Sequence, residues 1–298
     1  MSLVSLVKIR KEAEIKKGIT DALDLTQYKL PTNIKNIVIK PNLCYYWDYT
    51  TGQTTDPKFV AALIDLIRER TTPTVDISIV ESDASAMKCK YAFKMLGYEK
   101  LADDYKVKLV NLSQDPYETA QVTAGKQSFN LMIPKTIQKA DLKINVSKIK
   151  YTMENIKLTC ALKNIYGCNP YPKKYRYHSR LGEAIVAINK ALKFDLHIID
   201  GNIVSGIQPC RLGLVMASVD PVAIDAAAAE IAGINPKTIK YLQLAKNEGL
   251  GNTIYVSKGE LINQFKKGYP QKTIKNKLMS NAYTLVIRAG LGKRLGLE

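Results

Sequence analysis

The sequence predicts an α/β fold in which helices cover both faces of a largely parallel, open sheet. Short aliphatic and β-branched runs alternate along the chain with segments whose apolar residues recur at helical spacing. The pairs Asp56-Pro57 and Asp220-Pro221 supply the N-cap and first-turn residues that open helices. Hydrophobic residues make up 46% and charged residues 24% of the 298 residues, so the chain can bury a sizeable core. The alternation of strand-like and helix-like segments is typical of a parallel sheet.

The first part of the chain follows the order β-α-β-α-β-α-β. Strands are predicted over residues 4–9, 36–40, 75–80 and 107–112. The first helix is predicted over residues 11–25, with these side chains facing inward: Ala13, Ile15, Ile19, Ala22 and Leu23. A second helix opens at Asp56 after a turn-rich loop, and a third follows residues 81–83 and runs to Met95.

The second part continues the pattern as a single α/β domain over residues 1–257. Strands are predicted over residues 141–146, 196–199 and 212–217, and helices over residues 182–191, 220–233 and 237–246. The short segment 159–165 fits either state. No fixed-period repeat and no Ser/Gly linker divides the chain, and an arrangement in two lobes stays open. Residues 258–298 are predicted to form a basic, amphipathic C-terminal extension.

The chain carries a net charge of +17, and most of the excess lies in two segments. Residues 135–182 contain eleven basic residues against two acidic ones, and residues 258–298 contain nine against two. A clustered basic field indicates an anionic partner: a small phosphate or carboxylate, a nucleic acid or an anionic membrane surface. A composition rich in lysine on a solvated face is the simpler alternative.

Several function classes lack sequence support. The chain has no glycine-rich dinucleotide or phosphate loop, no Gly-x-Ser-x-Gly elbow and no His-Glu-x-x-His. No apolar run is long enough to span a membrane, and the start shows no signal-peptide pattern. The five cysteines are an odd number in no tight pattern, which argues against a secreted disulfide scaffold. We therefore expect a cytoplasmic protein.

Basic and amide side chains cluster around predicted strand ends. Lys40 and Asn42 stand where a strand meets its loop, and ligands of open α/β sheets sit beyond the carboxyl ends of the strands. Lys148 and Lys150 share a face if the strand before them continues, and two ammonium groups on one face call for an anion. The segment that follows adds further candidate ligand-binding residues: Lys163, Asn164 and Gly167. Solvent lysines and turn residues are the alternative.

Two residues are candidates for proton transfer. His178 is one of only two histidines, and its basic surroundings favour the neutral form that a general base needs. Asp200 follows a predicted strand directly and could take a proton or ligate a cation. The other histidine, His197, lies inside a strand and fits a core position.

Carboxylates and one thiol are candidates for metal or redox chemistry. Asp200, Asp220 and Asp225 could hold a divalent cation together, although Asp220 before Pro221 also fits a helix N-cap. Cys168 lies near basic residues, which could lower a thiol pKa and make it redox-active. The run 81–83 could bind a metal or a sugar hydroxyl, or cap the following helix.

Taken together, these pieces resemble the domain of unknown function 362 family. The resemblance spans residues 38–251 and rests on the order and spacing of short blocks: residues 39–43, 54–57, 79–82, 141–150, 161–168, 176–178, 199–201 and 217–226. Residues 161–168 form the most specific block. Many members of the family also carry a ferredoxin-type cysteine cluster, which this chain lacks, so the resemblance implies no electron-transfer role here.

The favoured function is that of a cytoplasmic enzyme acting on a small anionic metabolite that bears phosphate or carboxylate. Assistance from a divalent cation is left open, and an iron–sulfur cluster is disfavoured. Nucleic-acid binding, through the charge and seventeen tyrosines, is one alternative. Contact of the C-terminal extension with an anionic membrane surface is another. Redox chemistry at a metal or iron–sulfur centre is a third alternative.

Overall fold

The computed structural model describes residues 1–71, 74–152 and 156–271, and strands alternate with helices along most of that length. The strands are β1 (Ser2–Lys8), β2 (Asn36–Pro41), β3 (Asp76–Glu81), β4 (Lys108–Asn111), β5 (Tyr117–Ala124), β6 (Gln127–Pro134), β7 (Leu142–Ser147), β8 (Lys150–Tyr151), β9 (Leu158–Thr159), β10 (Leu196–Val204), β11 (Cys210–Ser218) and β12 (Tyr255–Gly259). The helices are α1 (Ile15–Leu25), α2 (Pro57–Arg70), α3 (Cys89–Met95), α4 (Tyr98–Tyr105), α5 (Lys135–Gln138), α6 (Ala161–Ile165), α7 (Leu181–Leu192), α8 (Pro221–Ile231), α9 (Lys240–Asn247) and α10 (Ile262–Gly268).

The central sheet has eight strands in the order β12-β1-β11-β10-β7-β2-β3-β4. Strands β10, β7, β2, β3 and β4 pair in parallel, and β11 runs antiparallel to both of its neighbours. The largely parallel α/β fold predicted from the sequence is confirmed. From β2 the chain builds outward through β3 to β4 and then returns to place β7 on the other side of β2. A topological switch point therefore lies between β2 and β7, where ligands of such sheets bind.

Helices cover both faces of the sheet, as predicted. Alternate residues of β2 belong to opposite apolar clusters, since Val38 packs into one and Ile37 and Ile39 into the other. Helices α1 and α2 pack on the Ile37 face, and α7 and α8 pack on the Val38 face. Burial on both faces explains why the central strands are continuous runs of aliphatic residues.

The two Asp-Pro pairs open helices as predicted. The Asp56 carboxylate accepts a hydrogen bond from the Lys58 amide at 2.8 Å, and Pro57 begins α2. Asp220 accepts hydrogen bonds from the first amides of α8 at 2.8 and 2.9 Å. These caps satisfy backbone donors that a helix start leaves unpaired.

Other sequence-based boundaries are corrected by the structure. Ala13 is exposed rather than inward, because residues 12–14 form a 3-10 turn and the α-helix begins at Ile15. Segment 159–165 divides between β9 and α6, which explains its mixed pattern. Strand β10 continues past residue 199 to Val204 through an irregularity in its pairing with β11. The β5–β6 hairpin, which packs on α7, was missing from the prediction.

The predicted domain boundary at residue 257 falls inside β12. This strand pairs in parallel with β1, with Ser2 opposite Tyr255, so it completes the main sheet. Phe265 of α10 is buried in the apolar core. Residues 272–298, including most of the predicted amphipathic extension, lie outside the described residues. Among the described helices, none combines the length and apolar character needed to cross a membrane.

Candidate functional site

A cavity of about 390 Å³ opens at the carboxyl ends of the parallel strands, next to the switch point. Lys40 and Asn42 enter it from the end of β2, and Glu81 from the end of β3. Lys150 follows β7 and is held by the short β8–β9 ladder, in which it pairs with Thr159. The strand ends thus bring basic, acidic and amide groups together, as the sequence predicted for Lys40 and Asn42.

The remaining wall of the cavity comes from α6 and two 3-10 helices. Helix α6 supplies Lys163 and Asn164, and the 3-10 turn at Tyr166–Cys168 supplies Gly167. The 3-10 helix at Lys174–Arg180 adds Lys174 and His178, and His178 is exposed. Most of the predicted ligand-binding residues and one predicted proton-transfer residue therefore share a single cavity.

One end of the cavity is built on a buried ion pair. Lys40 is 1% exposed, and its Nζ donates hydrogen bonds to Glu81 Oε2 at 2.7 Å and to the Pro41 carbonyl at 2.6 Å. Gly167 packs against this pair, since a Cβ there would lie 3.2 Å from Lys40 Cε and 3.4 Å from Glu81 Oε1. A glycine at this position lets the backbone approach the pair closely.

Lys150 anchors the other end of the cavity. Its Nζ donates hydrogen bonds to Asn42 Oδ1 at 2.7 Å and to the Gln53 carbonyl at 2.6 Å, and it also contacts the Cys44 thiol. None of these partners is a carboxylate. The pKa of Lys150 is lowered to about 8, mainly by burial and in smaller part by the neighbouring Lys163, while Cys44 opposes the shift.

A chain of buried amides runs from Lys150 into the protein. Asn42 Nδ2 donates to Asn164 Oδ1, and Asn164 Nδ2 donates to Asn145 Oδ1, each at 2.7 Å. Asn145 Nδ2 then lies 3.1 Å from Nδ1 of His197. Every amide turns its oxygen toward Lys150, so the aligned dipoles reinforce one another and stabilise the ammonium charge. This role explains why amides, rather than aliphatic residues, occupy these buried positions.

Two further lysines meet the cavity without a carboxylate partner. Lys174 Nζ donates to the Gly167 carbonyl at 3.0 Å and to Ser82 Oγ at 2.5 Å. Lys163 Nζ makes no hydrogen bond or ion pair with any residue in 1–71, 74–152 or 156–271. Burial lowers the pKa of Lys174 to about 8 and also lowers the pKa of Lys163. The ammonium groups are therefore partly desolvated without full compensation.

Lys148 and Asp200 lie outside the cavity lining and pair with each other. Strand β7 ends at Ser147, so the strand continuation that would align Lys148 with Lys150 does not occur. Lys148 Nζ lies 3.1 Å from Asp200 Oδ2 and donates to the Ile203 carbonyl at 2.9 Å. Asp200 also accepts hydrogen bonds from the amides of residues 56 and 202. The structure does not bring Asp200 to His178.

The three aspartates predicted to share a cation occupy separate places. Asp220 caps α8, as described above, and Asp225 lies fully buried within α8. The Asp225 carboxylate accepts hydrogen bonds from the Ala161 and Leu162 amides at 2.7 and 3.3 Å, so it holds the start of α6. Burial raises the pKa of Asp225 to about 7. Within the described part of the chain, no group of three or more His, Cys, Asp or Glu residues could hold a metal ion.

The expectation of a reactive Cys168 is corrected by its environment. Cys168 is fully buried, and burial raises its pKa to about 12, against the smaller opposing effect of Lys40. Cys44, by contrast, lines the cavity beside Lys150. Asp83 accepts a hydrogen bond from the Cys89 amide at the start of α3, which matches the capping role considered for residues 81–83.

Two cavity side chains had other assignments or none in the sequence analysis. Glu81 was considered only within the run 81–83, as a metal or sugar ligand, and its position at the end of β3, beside the end of β2 that carries Lys40, was the signal that could have paired the two. Lys174 lies in an irregular basic loop, where no periodic pattern distinguishes it from Lys173. Only the fold shows that Lys174 turns to the cavity while Lys173 is exposed.

The chain is similar to a described family and to known proteins. The family described as a domain of unknown function, DUF362, matches residues 37–230. The thylakoid-associated protein sll1697 of Synechocystis sp. is 28% identical over 232 residues, covering 73% of this chain and 69% of that protein. The lactate racemase apoprotein of Thermoanaerobacterium thermosaccharolyticum aligns with a TM-score of 0.46 and 12% identity, over 78% of this chain and 58% of that chain.

The family match covers the cavity completely. Its range, residues 37–230, extends over most of the chain and includes every cavity-lining residue from Lys40 to His178. The strands that carry the site, β2, β3 and β7, also lie within it. The chain therefore belongs to the DUF362 family.

Proposed function

We propose that this protein is an enzyme that binds a small organic anion, bearing phosphate or carboxylate, in the cavity beyond β2, β3 and β7. One observation carries the proposal. Lys150, Lys163 and Lys174 converge on the cavity, and none of them forms an ion pair with a carboxylate among the described residues. An anionic ligand would supply the missing negative charge.

The electrostatics of the cavity support the same conclusion. Desolvating an ammonium group costs free energy unless a charged partner compensates. The pKa values of Lys150, Lys163 and Lys174 are all lowered, with burial as the largest cause. A bound anion would favour the charged form of each lysine. The cost of burying these charges would then be recovered as binding free energy and as selectivity for anions.

The size of the cavity favours a small molecule over a polymer. A volume of about 390 Å³ falls within the range of metabolite-binding pockets. The lining tyrosines and methionine give it an apolar part, and the lysines fix orientation. The nucleic-acid alternative rests on the overall charge and the tyrosines, and the membrane alternative rests on the C-terminal extension, most of which lies beyond residue 271.

Proton transfer is the catalytic capability that the cavity offers. His178 lies at the exposed rim, where its imidazole can exchange protons with solvent and ligand. The pKa of about 8 for Lys150 and Lys174 also lets these amines gain and lose protons near neutral pH. Glu81 already pairs with Lys40, so the lysines provide the proposed binding. The ligand can bind with or without a divalent cation.

Calorimetric titration of the full chain with inorganic phosphate and with succinate tests this proposal. We expect saturable binding of at least one of the two anions at pH 7, and a loss of at least tenfold in affinity in Lys163→Met and Lys150→Met. Lys139→Met is the matched control, because Lys139 is exposed at the end of α5, near the amino ends of the strands. Unchanged binding in both cavity variants would contradict the proposal.

A further inference from the structure

The lysines of the cavity form two groups that are anchored on different parts of the backbone. The Lys40 end consists of Lys40, Glu81, Ser82, Gly167 and Lys174, which are joined by the hydrogen bonds of Lys40 to Glu81 and of Lys174 to Ser82 and Gly167. The Lys150 end consists of Asn42, Cys44, Gln53, Lys150 and Lys163. Members of both groups line the same cavity.

The two ends differ in net charge. At the Lys40 end, two ammonium groups face the single carboxylate of Glu81, so the formal charge is +1. At the Lys150 end, Lys150 donates to amide and carbonyl oxygens, Lys163 lies near the Cys44 thiol, and neither pairs with a carboxylate among the described residues, so the formal charge of these residues is +2. Lys148 adds little there, because Asp200 neutralises it. A ligand that balances both ends carries one negative charge at the first and two at the second.

The supply of hydrogen-bond donors agrees with this charge pattern. At the Lys40 end, Lys40 and Lys174 each already donate to two protein oxygens, and a third proton of each ammonium is available. At the Lys150 end, Lys163 donates to none of the described residues, so all three of its protons can reach a ligand. The carboxylate of Glu81 would also repel a doubly charged group from the Lys40 end.

From this asymmetry we infer that the ligand is a phosphorylated carboxylic acid. The phosphate, with a charge near −2, binds Lys163 and Lys150, and the carboxylate binds Lys174 at the Lys40 end. Lys40 and Asn42, which belong to the two ends, are two residues apart in sequence at the end of β2, and both line the one cavity, so a single small molecule can carry both anionic groups. This inference rests on the proposed function and adds the substrate class to it.

Three ligands of matched length test the inference by calorimetry at pH 7. They are the phosphate ester of 3-hydroxypropanoate, propyl phosphate and glutarate. The ester carries both groups, and each of the others lacks one of them. We expect the ester to bind at least tenfold more tightly than propyl phosphate and than glutarate, since charge-assisted hydrogen bonds form at both ends.

Two variants assign each end to its group. Lys163→Met should reduce the advantage of the ester over glutarate to less than threefold, because the end that favours phosphate is removed. Lys174→Met should reduce the advantage of the ester over propyl phosphate to less than threefold. Lys139→Met should keep both ratios, and circular dichroism should show that all three variants are folded.

The contrary outcomes separate this inference from the proposed function. Propyl phosphate that binds as tightly as the ester would overturn the inference and leave anion binding intact. Equal losses for all three ligands in both lysine variants would also overturn it, because the two ends would then act as one site. Absence of binding for all three ligands would contradict both proposals.

Discussion

Lys150→Met should change how the stability of the protein depends on pH. Lys150 is 6% exposed, and burial lowers its pKa from an ordinary 10.5 to about 8. Between these values the unfolded chain binds more protons at Lys150 than the folded chain does, so the free energy of unfolding rises with pH. Below pH 8 both states hold the proton, and the folded protein bears the full cost of the buried charge.

The expected magnitude follows from the size of the shift. The change in the pKa of Lys150 from 10.5 to about 8 corresponds to about 3 kcal/mol in the free energy of unfolding. About 2 to 3 kcal/mol of this cost is recovered between pH 7 and pH 10. The variant loses this contribution. Its absolute stability at pH 7 also reflects the hydrogen bonds that Asn42 and Gln53 lose, so the change with pH is the informative quantity.

Urea denaturation at pH 7, 8, 9 and 10, followed by circular dichroism, measures the effect. Wild-type protein should gain about 2 to 3 kcal/mol over Lys150→Met across this range. Tyr98 and Cys160 also affect the pH dependence, because burial raises their pKa well above the ordinary value in the folded protein only, but their contributions cancel in the difference. Lys139→Met should run parallel to wild type. A wild-type minus Lys150→Met difference that stays constant with pH, within about 0.5 kcal/mol, would refute the reasoning.

Three further predictions concern the same site. Succinate affinity should fall at least tenfold between pH 7 and pH 9.5 in calorimetry, because Lys150 and Lys174 lose their charge above about pH 8; a flat profile would contradict this. Gly167→Ala should weaken anion binding several-fold with little loss in melting temperature, since its Cβ would press on the Lys40–Glu81 pair; unchanged affinity would contradict it. Asp225→Asn should gain stability relative to wild type as pH rises from 4 to 7, because burial raises the pKa of Asp225 to about 7 and the folded carboxyl group resists ionisation. Parallel pH profiles of the two proteins in urea denaturation would contradict this.

The fold was largely readable from the sequence because its strands and helices have strong local signals. The aliphatic run of β2 and the Asp56 and Asp220 caps identify their elements without tertiary information. The β5–β6 hairpin escaped prediction because its alternation is weak, with exposed residues at most positions of β5. Strand β12 is also largely exposed, so its pairing with β1 could not be inferred from composition.

The candidate site was predictable where strand ends determine position. Lys40 and Asn42 could be placed because parallel strands present their carboxyl ends at one edge of the sheet. Lys148 and Lys150 illustrate the limit. Strand β7 ends at Ser147, and the path of the backbone after that point determines that Lys150 lines the cavity and Lys148 does not. The partner of a charge, such as Asp200 for Lys148, depends on packing between distant segments and has no local signal.

The central claim is that an anion binds between the lysines beyond β2 and β7. Anomalous diffraction from crystals of the full chain soaked in sodium selenate tests it directly, because selenate mimics phosphate and its selenium can be located without ambiguity. The account predicts a selenium peak in the cavity, within hydrogen-bond reach of Lys163 and close to Lys150. A cavity that stays empty while selenate occupies exposed lysines elsewhere would contradict it.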